Sequence, residues 1–227
     1  MANKHFVIIL AGGEGKRMKG KTLKQFLVLG KKPVLMHSLR TFYEFDKKSV
    51  LSVVLPKNKI NFWKTICDKY NFNLPHNIFF GGKTRYDSVK NALFKLKIKK
   101  DDIVSIHDGV RPFISNKLIK KLFNSASKKG HAAPILTPKD SLRMFVENSS
   151  RTKSVNRSNF IFTQTPQIFK GEIIKSVYKK ENKNNKTDDI SLIENSVNKV
   201  NLINGEKINI KITTKEDWLL AKKIIKS

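Results

Sequence analysis

Short apolar segments that recur along the chain, separated by longer segments with helical spacing, constrain the fold most strongly. Each short segment is rich in β-branched or aromatic residues, which favours a buried strand. Between these segments, apolar residues recur at helical intervals, which favours helices packed against a sheet. Such alternation predicts βαβ units, and hence a mostly parallel sheet with helices on both faces. The predicted strands span Phe6 to Leu10, Val50 to Leu55, Asn77 to Phe80, Ile103 to His107 and Ala132 to Leu136.

The predicted helices lie between and after these strands. Pro33 suits the first helical position, because its ring fixes φ near the helical value and its missing N–H loses no bond there. Asn116 also stands where a helix would begin. The predicted helices span Pro33 to Phe45, Ile60 to Tyr70, Tyr86 to Lys97, Lys117 to Lys128, Gly171 to Lys179, Asp189 to Val197 and Lys215 to Ile225. Two more strands are predicted at Lys199 to Ile203 and Ile208 to Ile212, around a turn at Asn204-Gly205.

The regular alternation breaks off after the fifth strand. Residues Thr137 to Phe160 are polar, contain a Ser149-Ser150 pair typical of a turn, and lack a long helical pattern. We expect this segment to form a β-hairpin arm over approximately residues 139–160.

The composition fits one folded domain over residues 1–227. The chain is 39% hydrophobic and 28% charged, enough for a sizeable core. Its formal net charge of +28 would suit nucleic acid, so a basic nucleic-acid-binding module is one alternative. Only seven of the 46 basic residues are arginine, however, and the lysines are dispersed. Because base-reading proteins favour clustered arginine, we expect no specific nucleic-acid partner.

The sequence also bears on the compartment. The single Cys67 cannot form an intramolecular disulfide and leaves too few thiols for a structural zinc site. No apolar run approaches the roughly 18 residues that cross a membrane, and no cleavable signal precedes the first strand. We therefore expect a cytoplasmic protein with no membrane partner.

Glycines follow the first strand at its carboxyl end, the position where open α/β sheets bind ligands. The segment reads Ala11-Gly12-Gly13-Glu14-Gly15-Lys16-Arg17. Because a glycine has no Cβ, an anion can approach the backbone amides, and the basic residues that follow supply countercharge. The sequence predicts a phosphate-binding loop here.

Two other nucleotide-binding patterns compete for this segment. The dinucleotide fingerprint lacks its third glycine and its acidic residue. The Walker A pattern does match over residues 15–22, and Asp108 after an apolar strand imitates the metal-binding aspartate, so a P-loop phosphotransferase is a second alternative. Against it, Gly15 lies five residues past the strand, and Gly30 and Pro33 interrupt the long helix that should follow.

The glycine loop is the first of eight motifs that fall in one order across nearly the whole chain. They are LAGGEGKRM (10–18) with KQF (24–26) and PVLMHSL (33–39), GGKTRYDSV (81–89), HDGVRPF (107–113), KDSLR (139–143), NRS (156–158), QTPQIF (164–169), TDD (187–189) and NIKITT (209–214). Together they resemble the sugar-phosphate nucleotidyltransferases, and specifically the 2-C-methyl-D-erythritol 4-phosphate cytidylyltransferase family. The resemblance implies a single Rossmann-like α/β domain with a projecting β-arm.

For the nucleotide, the resemblance implies a site made of backbone amides and fixed cations that binds CTP. Cytidylyl transfer needs no covalent intermediate, so the protein must position two polyanions and spread the developing charge. Arg17 and Lys24 would stabilise the transition state, and the planar guanidinium of Arg17 could hold two oxygens at once. The implied nucleotide-binding residues are Ala11, Gly12, Gly13, Gly15, Gly82, Lys83, Arg85 and Ser88.

For the acceptor, a polyol phosphate, the resemblance implies a second group of residues. Asp108 would also bind Mg²⁺, which prefers oxygen ligands, although a turn-capping role is its alternative. A structural ion pair is the alternative for Arg111, and we expect His107 to be a packed or turn histidine. The implied acceptor-binding residues are Asp108, Gly109, Arg111, Ser141, Arg157, Thr165, Thr187 and Lys211, with Arg157 and Lys211 also catalytic.

The arm implies a homodimer, because in the family the arginine matching Arg157 reaches the substrate of the neighbouring subunit. Two residues depart from the family pattern. Leu23 replaces the usual proline before Lys24, which removes a fixed φ. Asn156 replaces an acidic residue that could orient Arg157. The expected acceptor is 2-C-methyl-D-erythritol 4-phosphate, with ribitol 5-phosphate as the alternative.

Overall fold

In the computed structural model, one eight-stranded sheet and two short two-stranded sheets account for the strands. The structure describes residues 3–13, 22–147, 149–180 and 187–226. In chain order the strands are β1 (His5–Leu10), β2 (Val28–Leu29), β3 (Lys32–Pro33), β4 (Val50–Leu55), β5 (Asn77–Phe80), β6 (Ile103–Asp108), β7 (His131–Leu136), β8 (Leu142–Phe145), β9 (Thr152–Val155), β10 (Phe162–Thr163), β11 (Gln167–Lys170) and β12 (Leu202–Asn204).

The centre of the large sheet is parallel, as predicted. Strand β1 lies between β4 and β6, and β5 pairs with β4. Alternate residues of β1 pack on opposite faces, because successive side chains of a strand point to opposite sides. Val7 and Ile9 face one core, whereas Phe6 and Ile8 face the other. All five predicted strands are confirmed, with bounds within one residue, and four of them form this parallel centre.

Two strands of the large sheet, β10 and β11, were not predicted. Strand β11 lies between β6 and β7 and runs antiparallel to both, with Phe169 opposite Val104 and His131. β10 then pairs antiparallel with β7, and β12 pairs parallel with it. The short β11 begins with Gln167 and therefore lacks the continuous apolar run that marks the other central strands.

The described residues form seven α-helices, six of which cover the sheet. They are α1 (Val34–Phe45), α2 (Ile60–Lys69), α3 (Arg85–Lys95), α4 (Asn116–Lys129), α5 (Gly171–Lys179), α6 (Ile190–Ile193) and α7 (Lys215–Ile224). Helices α1, α2 and α4 pack on one face, and α3, α5 and α6 on the other. The cap of α4 is Ser115, one residue before the predicted Asn116, and its hydroxyl accepts the N–H of Leu118. No described helix is long and apolar enough to cross a membrane.

The predicted arm contains a hairpin of β8 and β9, which pair with each other in a separate sheet. Its side chains are mostly exposed: Phe145 is 76% exposed, and Met144 and Val146 are also exposed. Three neighbouring apolar side chains that no other described element covers are unusual for a chain acting alone, because contiguous exposed apolar surface marks interaction sites.

Two predictions near the end of the chain are wrong in part. Residues 208–212 do not form a strand; the N–H of Ile212 donates to the carbonyl of Val110 at 2.9 Å. The alternating apolar residues of this segment instead contribute to a small apolar cluster, in which Ile212 is fully buried. Ile208 lies outside the cluster and is 47% exposed. The helix predicted over 189–197 is the single turn α6 followed by a 3-10 turn at Glu194–Ser196.

Candidate active site

A cleft of about 740 Å³ lies at the carboxyl ends of β1 and β6. This is the edge at which open α/β sheets bind ligands. Ten of the residues predicted for the site line it: Ala11, Gly12, Gly13, Lys24, Gly82, Lys83, Arg85, Ser88, Asp108 and Lys211. The predicted Gly15 and Arg17 lie outside the described residues.

The glycine loop is held by the sheet and by one buried glutamine. The N–H of Ala11 donates to the carbonyl of Val54 at 2.9 Å, which extends the pairing one residue past β1. The buried Gln25 donates from Nε2 to the carbonyls of Ala11, at 2.7 Å, and Gly13, at 3.2 Å. Because these contacts fix residues 11–13, the described part of the loop, before any ligand arrives, binding an anion there requires less ordering of the backbone.

The opposite wall of the cleft is the first turn of α3. Thr84 and Asp87 form a capping box, in which each side chain accepts the backbone N–H of the other residue. The hydroxyl of Ser88 accepts the N–H of Gly82 at 3.1 Å and donates to the carbonyl of Thr84 at 2.9 Å. A Cβ on Gly82 would clash with Asp87. This tight turn presents the positive end of the helix dipole, which favours an anion.

Asp108 ends β6 as a carboxylate held by two cations. Its Oδ2 lies 2.9 Å from Nζ of Lys211 and 3.3 Å from Nε of Arg111. Burial alone would raise the pKa of this carboxyl, but the nearby positive charges, led by Lys211, outweigh burial and hold the pKa well below its usual range. Arg111 also donates to the carbonyl of Asn209 at 2.8 Å. Arg111 thus makes the structural ion pair that the sequence left as its alternative.

His107 is fully buried beneath this carboxylate and is bonded on both ring nitrogens. Its Nε2 donates to the carbonyl of Arg111 at 3.0 Å, so Nδ1 is the acceptor for the hydroxyl of Thr165 at 3.1 Å. The same hydroxyl accepts the N–H of Asp108 at 3.0 Å. Burial lowers the pKa of His107 to about 4, so the ring is neutral at pH 7. Of the packed and turn roles predicted for His107, the structure confirms the packed one.

Several predicted acceptor-binding residues do not line the cleft. Gly109 is buried, and a Cβ there would approach a backbone carbonyl and two apolar side chains, so packing alone accounts for this glycine. Ser141 and Arg157 are exposed at the base of the hairpin, where Arg157 donates to the carbonyl of Lys139. Thr187 is exposed as well.

The local structure after the glycine loop does not match a P-loop. A P-loop threonine opens a long helix. Here Thr22 is followed by the three-residue 3-10 turn Lys24–Phe26 and then by β2 and β3. The alternative of a P-loop phosphotransferase therefore loses its structural basis, although residues 15–21 of the pattern lie outside the described part of the chain.

The cleft has the oxygen chemistry that Mg²⁺ prefers, but few protein ligands. Among the described residues, no group of three or more His, Cys, Asp or Glu side chains could hold a metal ion. Asp108 is the one carboxylate among the described lining residues. Mg²⁺ in such sites is commonly held by one or two carboxylates together with phosphate oxygens and waters. The donor set thus fits an ion that binds together with a phosphorylated substrate.

Three side chains that build the site had no role in the sequence analysis. Thr84 could have been found, because a threonine three residues before an acidic residue is the pattern of a capping box. Gln25 and Asp189 lie inside the quoted motifs, but their roles depend on burial and on partners distant in sequence. Asp189, fully buried, pairs with Arg85 across 104 positions.

An open, mostly parallel sheet, glycines at the carboxyl end of its first strand and cations gathered at the same edge are typical of a nucleotide-binding α/β protein. The family described as IspD, 2-C-methyl-D-erythritol 4-phosphate cytidylyltransferase, matches residues 5–227. The chain belongs to this family, and is therefore a nucleotidyltransferase.

Individual relatives agree over their whole length. A curated protein of Azobacteroides pseudotrichonymphae named 2-C-methyl-D-erythritol 4-phosphate cytidylyltransferase is 42% identical, with 97% of this chain and 98% of the relative covered. One of the same name from Phocaeicola vulgatus is 40% identical, covering 98% and 100%. The structure of 4-diphosphocytidyl-2C-methyl-D-erythritol synthase from Anaerococcus prevotii superposes with a TM-score of 0.84 at 29% identity, covering 99% of this chain and 97% of that one.

Proposed function

We propose that the chain transfers a cytidylyl group from CTP to 2-C-methyl-D-erythritol 4-phosphate, releasing pyrophosphate, in isoprenoid precursor biosynthesis. The observation that carries this proposal is the full-length match to one family, combined with a cleft lined by residues from four of the eight motifs. The cytoplasm is the proposed compartment, as the lone Cys67 led us to expect.

In the proposed reaction, a phosphate oxygen of the acceptor attacks the α-phosphorus of CTP while the bond to the pyrophosphate oxygen breaks. No protein nucleophile is required, so the residues act by positioning and charge. Lys24 and Arg17 neutralise the charge that develops on the triphosphate, and the amides of the glycine loop contact its oxygens. The segment around Ser88 encloses the cytosine.

Asp108 is the proposed protein ligand of Mg²⁺. When bound, the ion would neutralise phosphate charge and hold the reacting groups in line. Asp108 suits this role because its low pKa keeps it ionised. Nζ of Lys211 lies 2.9 Å from Oδ2 of Asp108. This cation is therefore already beside the carboxylate, where we propose that the acceptor binds.

The remaining acceptor contacts are proposed to come from both subunits of a homodimer. Arg111, Thr165 and Lys211 support the site within one chain, whereas Arg157 would reach the acceptor bound by the partner, with Ser141 and Thr187 as further contacts. The exposed apolar side chains of the β8–β9 hairpin support a second copy of the chain as its covering layer.

Pyrophosphate release tests the proposed reaction. With Mg²⁺ and CTP, we expect turnover with methylerythritol phosphate and much less with ribitol 5-phosphate. Turnover of the ribitol compound alone would reassign the acceptor. Phosphate release from ATP, abolished by Thr22→Ala, would instead restore the P-loop alternative, because only a P-loop would use this hydroxyl as a metal ligand.

A further inference from the structure

Arg85 lines the cleft, but its side chain is anchored from behind by a carboxylate that does not reach the cleft. Its Nη2 lies 2.5 Å from Oδ2 of Asp189. Asp189 is 0% exposed, whereas the side chain of Arg85 keeps 26% of its surface exposed. The other oxygen, Oδ1, accepts the hydroxyl of Tyr178 at 2.6 Å. Both oxygens of the buried carboxylate thus have a partner.

The backbone around Asp189 is fixed by a side chain of the central sheet. Oε1 of Gln167, at the start of β11, accepts the N–H groups of Asp189, at 2.9 Å, and Ile190, at 2.8 Å. Its Nε2 donates to Asp188 at 2.9 Å. Gln167 is itself buried. The position of the carboxylate is therefore set by the sheet, although Asp189 lies in a connection between helices.

The contact with Asp189 offsets two unfavourable contributions to ligand binding by Arg85. Arginine has a long side chain, and fixing its rotamers only when a ligand binds would weaken affinity. The cleft also contains Lys24, Lys83 and Lys211, whose charges repel another cation. A buried anion holds the guanidinium in place and offsets this repulsion. Because guanidinium has five N–H donors, the pair with Asp189 leaves others available to a ligand.

We propose that Asp189 is a positioning residue for nucleotide binding: it holds Arg85 ready to contact CTP, and Gln167 in turn fixes Asp189. The choice of CTP rests on the proposed function. Asp189 does not contact substrate, so its whole contribution to CTP affinity passes through Arg85.

A double-mutant cycle tests this dependence. The dissociation constant of CTP is measured by calorimetry, without acceptor, for the wild type, Arg85→Ala, Asp189→Asn and the double variant. We expect about a tenfold weakening from each single change, the scale of coupling between contacting charged residues, and no further weakening in the double variant. If the two effects multiply, or if Asp189→Asn leaves CTP affinity unchanged, the proposal is wrong.

Two further variants separate positioning from simple destabilisation. Asp46→Asn removes a partly buried carboxylate that pairs with His5 at the other end of β1. It should lower the free energy of unfolding without changing CTP affinity. Should Asp189→Asn fail to fold, Tyr178→Phe deletes one bond to the carboxylate and keeps its charge. We expect it to weaken CTP binding about two- to threefold, but only while Arg85 is present; an equal loss in the Arg85→Ala background would contradict the proposal.

Turnover of the wild type is recorded separately. If CTP binds and the cycle is non-additive but methylerythritol phosphate is not converted, the proposed function fails while the role of Asp189 stands. If methylerythritol phosphate is converted normally but the cycle is additive, the proposed function stands and the role of Asp189 fails.

Discussion

The cleft and the β8–β9 hairpin both carry residues predicted for the active site, yet the chain holds the two regions in different ways. In the cleft, Asp108 ends a central strand and is 7% exposed; Thr165 accepts its backbone N–H, and Gln25 bonds the carbonyl of Ala11. On the hairpin, the strands pair only with each other among the described residues, and Phe145 is 76% exposed. The cleft is therefore organised within one chain, whereas the hairpin exposes apolar side chains that we propose a second copy covers.

The largest expected effect lies in the cleft. Lys24→Ala removes a cation of the cleft that we propose contacts the triphosphate, so kcat should fall by about 10²-fold or more, the scale of losing one preorganised charge contact in a transition state. Steady-state pyrophosphate release measures it. Lys57→Ala, at an exposed lysine of a 3-10 turn, is the matched control and should retain wild-type kcat. An equal loss of kcat in both variants would mean that the net charge of the protein, and not the position of Lys24, causes the effect.

The floor of the cleft should respond to acid. Because the pKa of His107 is about 4 in the folded protein and near 6.5 when unfolded, acid protonates the unfolded chain first. The stability from this neutral ring is complete above pH 6.5 and lost as the pH falls toward 4. By pH 5 the loss should be about 2 kcal/mol.

Urea unfolding of the wild type and His107→Gln at pH 7 and pH 5 isolates the contribution of this ring. The gap in stability between the two proteins should shrink by that amount at the lower pH. Parallel stability curves would show that the ring is not buried in its neutral form.

Two glycines of the cleft should behave differently. Gly82→Ala introduces a clash with Asp87, so stability should fall by about 1–3 kcal/mol and the KM for CTP should rise about tenfold. At Gly13 nothing lies within 4 Å of an added Cβ, so Gly13→Ala should keep its stability. It should still raise the KM for CTP, because the methyl group would keep the phosphates from the loop. An unchanged KM would mean that the nucleotide does not approach Gly13.

The hairpin should give the smallest effect on the fold. Phe145→Ser replaces a side chain with little contact in its own chain, so unfolding measured below the dimer dissociation constant should shift by less than about 0.5 kcal/mol. Sedimentation equilibrium should nevertheless show a weaker dimer. If the variant is as stable as the wild type and its dimer dissociation constant is unchanged, this apolar surface does not contact a second copy.

Much of the fold could be predicted because burial leaves a pattern in the sequence. Strands such as β1 and β6 are buried on both faces and read as continuous apolar runs, and α1 and α4 show an apolar stripe. The sequence did not predict β11, because this strand is short and starts with the polar Gln167, whose side chain bonds the backbone of a distant loop. The strand predicted at 208–212 failed because alternation reports which side chains are buried and not whether a neighbouring strand pairs with them.

The site divides in the same way. Glycines and cations near the ends of strands could be placed in the cleft, since parallel strands bring their carboxyl ends to one edge. The contacts that support these residues could not be predicted. The hydroxyl of Thr165 accepts the backbone N–H of Asp108, and Asp189 pairs with Arg85, which lies 104 positions away in the sequence. Such contacts follow from the packing of distant segments, which no local pattern encodes.

The most direct test of a site shared between two chains is a subunit-mixing experiment. Lys24→Ala and Arg157→Ala homodimers should each be nearly inactive, because each cleft would lack one essential cation. Unfolding and reassociating equal amounts should give about half heterodimers, in which one cleft has both residues intact. About a quarter of wild-type activity should return by random pairing. If mass tags show heterodimers but the mixture stays as inactive as its parents, Arg157 does not act across the interface and the account of the hairpin is wrong.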